Sequence, residues 1–171
     1  FPSIYMERRI NLEKINKKAK KLADLLEKIT AIPLIIVGGA MFSIVIIGTF
    51  YRYVLNSPLL WAETAARYLM IWLALVAASI SLKRREHIGV EFFVKKLKPG
   101  FKKIVKLVTN LFILYFLYIL LKEGWILALE SKSQTSFALN MSMFWPLLSV
   151  PVSAFLTIIQ LILQMIIDIT E

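Results

Sequence analysis

Residues 29–50 read ITAIPLIIVGGAMFSIVIIGTF and contain no charged side chain. An α-helix rises 1.5 Å per residue, so a helix over this range extends about 33 Å. The hydrocarbon core of a bilayer is about 30 Å thick. Because lipid offers no hydrogen-bond partners to backbone groups, a helix is the element expected of such a run. This stretch predicts a membrane-spanning helix and decides the class of fold.

Three further apolar runs follow in the chain. The second is interrupted only by Arg67, and the third carries no charge over 107–121. Of the 171 residues, 58% are hydrophobic and 19% charged, whereas soluble domains are about 45–50% apolar and about 25% charged. We therefore predict an all-α membrane protein with four transmembrane helices, at about 29–54, 62–82, 104–123 and 145–167, within a membrane domain of residues 29–167.

The distribution of Lys and Arg predicts the orientation of these spans. Eight of the 21 basic residues precede residue 29, nine lie in 83–106, two in 52–67, and the last two, Lys122 and Lys132, precede the fourth span. Loops rich in Lys and Arg stay in the cytoplasm. Both termini are therefore predicted to be cytoplasmic, in a multi-pass protein of the cell inner membrane. The net charge of +10 fits a membrane surface better than nucleic acid, because the basic residues flank the spans.

Two amphipathic segments are predicted to lie at the cytoplasmic headgroup level, over 11–28 and 88–98. In the first, apolar residues recur at steps of three and four, which makes one helical stripe. A coiled-coil seam is the alternative, but the segment is shorter than three heptads. The cations expected to face anionic lipid are Lys14, Lys17, Lys18, Lys21, Arg84, Arg85 and Lys95.

The ends of the chain are expected to be simple. Residues 1–10 are predicted to be a disordered start, in which the first five, before Met6, are a remnant of expression cloning or an alternative start. Residues 168–171 are predicted to be a short cytoplasmic tail.

The residues that most enzymes need are scarce. There is no cysteine and one histidine, His87, and no glycine-rich phosphate loop occurs. Since His87 lies beside three charged residues at the predicted interface, a hydrogen bond within the protein is favoured over catalysis. No pair of acidic residues lies deep in a span, as an ion carrier would usually need. We expect no catalytic residues, no metal, no cofactor and no enzymatic activity.

Small and polar residues within the spans predict helix packing. Gly39 and Ser43 are four apart on the first span, and Ala74 and Ala78 are four apart on the second; such pairs let helices approach closely in lipid. Pro151 is expected to kink or loosen the last span. With only four helices in the chain, part of this surface is expected to face another protein.

Charged residues flank the turn between the first two spans. An Asn-Ser-Pro turn brings Arg52, at the end of the first span, close to Glu63, at the start of the second. Arg67 lies four residues after Glu63, on the same helix face. We expect a partly buried cluster, here named the charged joint (Arg52, Glu63 and Arg67), that fixes how the two helices meet. An anion-binding site is the alternative.

These residues also resemble a family. RYVLNSPLLWAETAARY (52–68), WLALVAAS (72–79), HIGV (87–90) and QTSFALNMSMFWPLLSVPV (134–152) are similar to the small membrane subunit of tripartite ATP-independent periplasmic (TRAP) transporters, the DctQ-like family. The resemblance covers about residues 25–167. Thr64 stands where a second acidic residue often follows the Trp-x-Glu step, and Ser153 replaces a usual glycine. The positions that the resemblance marks as structural or interface residues are Arg52, Trp61, Glu63, Arg67, Trp72, His87 and Pro151.

The resemblance implies a non-enzymatic scaffold subunit of a sodium-driven transporter that takes up an organic anion. Its implied partners are a large membrane subunit with many spans and a periplasmic substrate-binding protein, besides membrane lipid. The alternative is a self-sufficient, homo-oligomeric small carrier that uses Glu63 and Arg67 for an anionic ligand.

Overall fold

A computed structural model describes residues 2–83 and 99–170, with side chains over 13–81, 104–105 and 107–168. Five α-helices make up this part of the chain: α1 (Pro2–Tyr53), α2 (Leu60–Lys83), α3 (Pro99–Glu130), α4 (Phe144–Leu147) and α5 (Ser149–Thr170). Four segments are long and apolar enough to cross a membrane: Glu13–Tyr53, Leu60–Ser81, Leu107–Ser133 and Phe144–Asp168. The prediction of an all-α fold with four spanning helices is confirmed for the described residues.

Helix α1 is continuous over 52 residues, whereas the sequence predicted a disordered start, a separate helix over 11–28 and a span over 29–54. The difference has a local cause: no glycine occurs before Gly38, so nothing ends the helix. Pro2 is its first residue, a position at which the missing N–H is not needed. Pro33 lies inside the helix without dividing it, as membrane helices tolerate. At 1.5 Å per residue, α1 is about 78 Å long.

Helix α5 is the centre of the bundle, since it packs against α1, α2 and α3, while α1 also packs along α2. The contacts with α1 include its amphipathic part, where Ala19 and Ala23 are buried. On the other side, Leu161 of α5 packs against Leu117 of α3. Helix α3 therefore joins the bundle through α5, and most of its apolar surface is exposed.

A short, ordered connection links α3 to α5. A 3₁₀ turn (Ser131–Ser133) ends α3, and an isolated antiparallel bridge joins Thr135 to Ser142. The Met143 N–H donates to the Gln134 carbonyl at 2.8 Å, and the Ser142 hydroxyl donates to the Lys132 carbonyl at 2.8 Å. The connection thus holds the beginning of α4 against the end of α3.

Pro151 lies in the first turn of α5, and the helical path is interrupted at Leu148, between α4 and α5. A residue at position 151 with an N–H would donate to the Leu147 carbonyl, and proline cannot. The interruption lies where Pro151 removes this hydrogen bond. The kink predicted within the last span thus takes the form of two helices, and the spanning segment Phe144–Asp168 agrees with the predicted bounds of 145–167.

Two glycines mark the closest helix contacts. A Cβ atom on Gly124 would lie 2.8 Å from Val150 Cγ1 and 3.3 Å from Pro151 Cδ. A Cβ atom on Gly48 would lie 3.2 Å from the Ala62 Cβ. Glycine therefore allows α3 to approach the start of α5, and α1 to approach the start of α2.

Four predictions fall on residues outside the described part of the chain. They concern the interfacial helix over 88–98, the lipid-facing Arg84, Arg85 and Lys95, the role of His87, and the end of the tail at 171. These stay predictions.

Candidate functional site

The turn between α1 and α2 brings two helix ends together. The Val54 N–H donates to the Phe50 carbonyl at 2.9 Å, and the Ser57 N–H donates to the Tyr51 carbonyl at 3.1 Å. Asn56 has a φ of 48°, a left-handed conformation that asparagine adopts more readily than most residues. The Asn-Ser-Pro turn expected from the sequence therefore closes the hairpin, and α2 starts at Leu60.

The charged joint forms across this turn. Arg52 Nη2 lies 3.4 Å from Glu63 Oε2, and Arg67 Nη2 lies 3.0 Å from Glu63 Oε1. Glu63 is also in the first turn of α2, where the helix dipole favours an anion. The two ion pairs that the sequence predicted are both present in the structure.

The joint is more exposed than expected. The exposed fraction of the side chain is 53% for Arg52, 62% for Glu63 and 61% for Arg67. Exposed ion pairs contribute only about 0.2–1 kcal/mol each, because water screens them. Among the described residues only α1 and α2 border the joint, so the cluster is exposed in this chain where a partly buried one was expected. Within one subunit the joint adds little to the stability of the fold.

Below the joint, α1 and α2 enclose a cavity of about 270 Å³. We call it the joint cleft and define it by its lining: Ile44, Val45, Gly48, Thr49, Arg52, Tyr53, Leu59, Ala62, Glu63 and Ala66. All of these residues belong to the hairpin formed by α1, its turn and α2. The cleft is therefore open to the surroundings of the bundle and is not a space at its centre.

A second polar contact region lies further along α2, where it meets α4. The Trp72 Nε1–H donates to the Trp145 carbonyl at 3.2 Å, and the Tyr68 hydroxyl lies 3.2 Å from Met143 Sδ. Glu63 precedes Trp72 by nine residues, about 13 Å along the helix. Trp72 thus joins two helices of this chain. The charged joint lies nearer the start of α2 than this contact with α4 does.

Trp61 and Pro151 lie in different surroundings. Trp61, beside the joint, is 43% exposed, whereas Pro151 is fully buried near Gly124. Trp61 is thus available to a neighbour outside the chain, and Pro151 is part of the internal packing of α3 and α5.

The four predicted packing residues, Gly39, Ser43, Ala74 and Ala78, are all exposed. Nothing lies within 4 Å of a Cβ atom built on Gly39, whereas one on Gly38 would lie 3.0 Å from Leu73 Cδ1. Within the described bundle these four residues do not pack the helices together; their packing against another protein stays a prediction. Adjacent residues on a helix point in different directions, and the face that meets α2 includes Gly38 and Gly48. The predicted set lies on the outer surface of the bundle.

The lysines predicted to face lipid, Lys14, Lys17, Lys18 and Lys21, are exposed on α1. Apolar side chains on the same part of the helix are about half exposed, among them Ile15 at 48% and Leu22 at 52%. This segment therefore presents both apolar and basic groups outside the bundle. Its contact with lipid stays a prediction.

A row of polar residues on α5 is buried, although the sequence analysis did not identify it as a group. Its members, Ser149, Ser153, Thr157 and Gln160, are almost fully buried, and Ser79 of α2 is equally buried. The hydroxyl groups donate to backbone carbonyls three or four residues earlier, for example from Thr157 to the Ser153 carbonyl at 2.7 Å. Gln160 Nε2 donates to the Ala23 carbonyl of α1 at 3.4 Å. The signal for this row in the sequence is that its polar residues recur every three or four positions along an apolar helix. Polar residues in spans usually face the protein interior.

Comparisons with known proteins agree with the resemblance. The sequence model of the DctQ component of tripartite ATP-independent periplasmic transporters matches residues 41–171. A Haemophilus influenzae protein whose name describes it as a TRAP transporter small permease protein is 30% identical over 132 residues, which cover 77% of this chain and 76% of that protein.

Two further relatives carry more specific names. The sialic acid TRAP transporter small permease protein SiaQ of Vibrio cholerae is 29% identical over 80% of this chain and 77% of its own length. The sialic acid TRAP transporter permease protein SiaT of Haemophilus influenzae is 23% identical over 72% of this chain but only 20% of its own length.

The family match covers most of the chain and includes the charged joint and the last three spanning segments. This chain belongs to the DctQ family, the small permease components of TRAP transporters: it is an inner-membrane transport subunit and not an enzyme.

Proposed function

We propose that this chain is the scaffold subunit of a sodium-driven TRAP transporter that takes up an organic anion. It works beside a large membrane subunit that holds the substrate and sodium sites, and a periplasmic binding protein delivers the solute. The relatives' names support this class of solute, since SiaQ is named for sialic acid and another relative is named the C4-dicarboxylate TRAP transporter small permease protein DctQ of Vibrio cholerae.

One observation carries the proposal: the spans have no charged side chain in their interiors. None occurs over 29–51, 68–82, 107–121 or 133–167. Ionisable residues within spans usually mark the path of an ion or substrate. The charges of this chain lie instead at the ends of its helices, as in the charged joint.

Two further observations support a larger membrane partner. The small residues Gly39, Ser43, Ala74 and Ala78 are exposed on α1 and α2, and small residues are enriched where membrane helices meet. The SiaT permease contains a region similar to this chain within a polypeptide about five times as long as the matched part. If a region like this chain is part of one long permease polypeptide, the two parts stay together permanently, as the subunits of a stable complex do.

Reconstitution into proteoliposomes tests the proposal. With the large subunit, the binding protein and an inward sodium gradient, we expect uptake of radiolabelled sialic acid or of a C4-dicarboxylate. Uptake should be absent when this chain is reconstituted alone and should stop when potassium replaces sodium. Uptake by this chain alone, abolished by Glu63→Gln, would instead establish a self-sufficient carrier.

A further inference from the structure

The joint cleft has features of a ligand site that the scaffold role does not require. We propose that it binds one membrane phospholipid, with the phosphodiester at the Arg52 guanidinium and the first part of an acyl chain between α1 and α2.

The polarity of the cleft changes along the helix axes in the direction that a lipid requires. At the hairpin end it is lined by Arg52, Tyr53 and Glu63, and towards the middle of the spans by Ile44, Val45 and other apolar or small residues. A phospholipid in the same leaflet has its charged group at the membrane surface and its chains towards the midplane. The cleft and the lipid therefore match end to end, whereas a solute with charged groups at both ends would leave one of them against apolar side chains.

The charge of the joint leaves capacity for one anion. Two guanidinium groups share the single carboxylate of Glu63, so the formal charge of the cluster is +1. Each guanidinium carries five N–H donors, and Arg52 and Arg67 each contact Glu63 through Nη2. The planar fork of arginine suits two-point binding of phosphate. A phosphodiester, with one negative charge, neutralises the cluster.

The location of the cleft, whose volume is about 270 Å³, also favours a lipid. The described residues that line it belong to α1, the turn and α2, so a lipid can enter it from the side. Gly48 keeps the two helices close at its base, where a Cβ atom would lie 3.2 Å from the Ala62 Cβ.

Native mass spectrometry of the full chain tests this site, in whichever assembly the chain is purified, after removal of the endogenous lipid. Palmitoyl-oleoyl phosphatidylglycerol is the probe, and inorganic phosphate and glycerol 3-phosphate are the soluble anions for comparison. We expect Arg52→Gln to weaken lipid binding about tenfold, as loss of a charge-assisted hydrogen bond would. Lys132→Gln removes one exposed charge elsewhere and should leave binding unchanged.

Two further variants separate the headgroup from the chain. Arg52→Lys keeps the charge but not the fork, so binding should fall less than in Arg52→Gln. Ala66→Leu fills the cleft and leaves the charged joint intact, so this variant should lose the bound lipid. If Arg52→Gln fails to fold, Ala66→Leu still tests whether the lipid binds in the cleft. Equal lipid binding by Ala66→Leu and the unchanged protein would overturn the proposal. So would binding of glycerol 3-phosphate as tight as that of the lipid, which would identify a site for a free phosphate.

Discussion

At Gly124 the absence of a Cβ atom lets helices α3 and α5 come into close contact. Gly124 is buried where α3 passes the first turn of α5, and a Cβ atom there would lie 2.8 Å from Val150 Cγ1. A side chain at position 124 would push the first turn of α5 away from α3. This displacement would also strain the connection between α3 and α4. Gly39, in contrast, has open space around it.

We therefore predict opposite effects of alanine at these two glycines. Gly124→Ala should destabilise the protein by about 1–3 kcal/mol through overpacking, offset by up to about 1 kcal/mol of helix propensity. Gly39→Ala has only the gain in propensity and should be neutral or stabilising. The measurement is the midpoint of thermal unfolding in one detergent. Similar midpoints for the two variants would contradict the close contact at Gly124.

The charged joint allows a second prediction about single residues. Glu63→Gln removes the shared carboxylate and leaves Arg52 and Arg67 to repel each other. Because the three side chains are more than half exposed, the loss of stability should be within about 2 kcal/mol. It should shrink in 1 M salt, where the Debye length is about 3 Å.

Thermal unfolding at low and high salt measures this effect. Glu123→Gln is the matched control, because Glu123 is 61% exposed and, among the described residues, pairs with Lys122 at 3.5 Å; its smaller loss should also fade with salt. A large loss in Glu63→Gln that persists at high salt would mean that the joint is buried by a partner and contributes to assembly.

At the scale of elements, α2 has different neighbours along its length. Its first turns border α1 at the joint cleft, and it also packs against α4 and α5. The Trp72 hydrogen bond to the Trp145 carbonyl is the polar contact that fixes α4 against α2. Tryptophan in this position combines apolar area with one donor.

Trp72→Phe tests this attachment, because it keeps an aromatic ring and removes the donor. We expect a loss of about 1 kcal/mol in the free energy of unfolding, and faster hydrogen exchange at the amides of α4. Trp61→Phe is the control, since Trp61 is about half exposed and should tolerate the change. Equal hydrogen exchange at α4 in the two variants would show that the Trp72 donor does not hold α4.

These elements show what the sequence can and cannot predict. The lengths of the apolar runs and the positions of the charged residues at their ends predicted the number of spans. They also predicted the bounds of α2 within a few residues. The pairing of Arg52 with Glu63 followed from one short turn. The packing face of α1 could not be predicted, because Gly38 and Gly39 are equally small and only the neighbouring helix distinguishes them. The unbroken α1 was missed because a change in amphipathic character was taken as the end of a helix.

At the scale of the whole molecule, the four spans form a bundle with little internal apolar core. The buried hydrophobic residues of the spans are few and the row on α5 is polar, while large apolar side chains cover the outer surface. In lipid this arrangement is stable, because association there depends on close packing and hydrogen bonds rather than on removal of apolar surface from water. Such a bundle also leaves wide surfaces for a larger membrane partner.

The orientation of the bundle is the remaining prediction, and the chain is well suited to test it because it has no cysteine. Ser57→Cys lies in the exposed turn between α1 and α2, and Lys95→Cys lies in the basic segment between the second and third spans. The positive-inside rule predicts that a membrane-impermeant maleimide labels Ser57→Cys in intact spheroplasts, and Lys95→Cys only after permeabilisation. The unchanged chain gives the background. The reverse pattern would place the charged joint on the cytoplasmic side, where a periplasmic binding protein has no access to it.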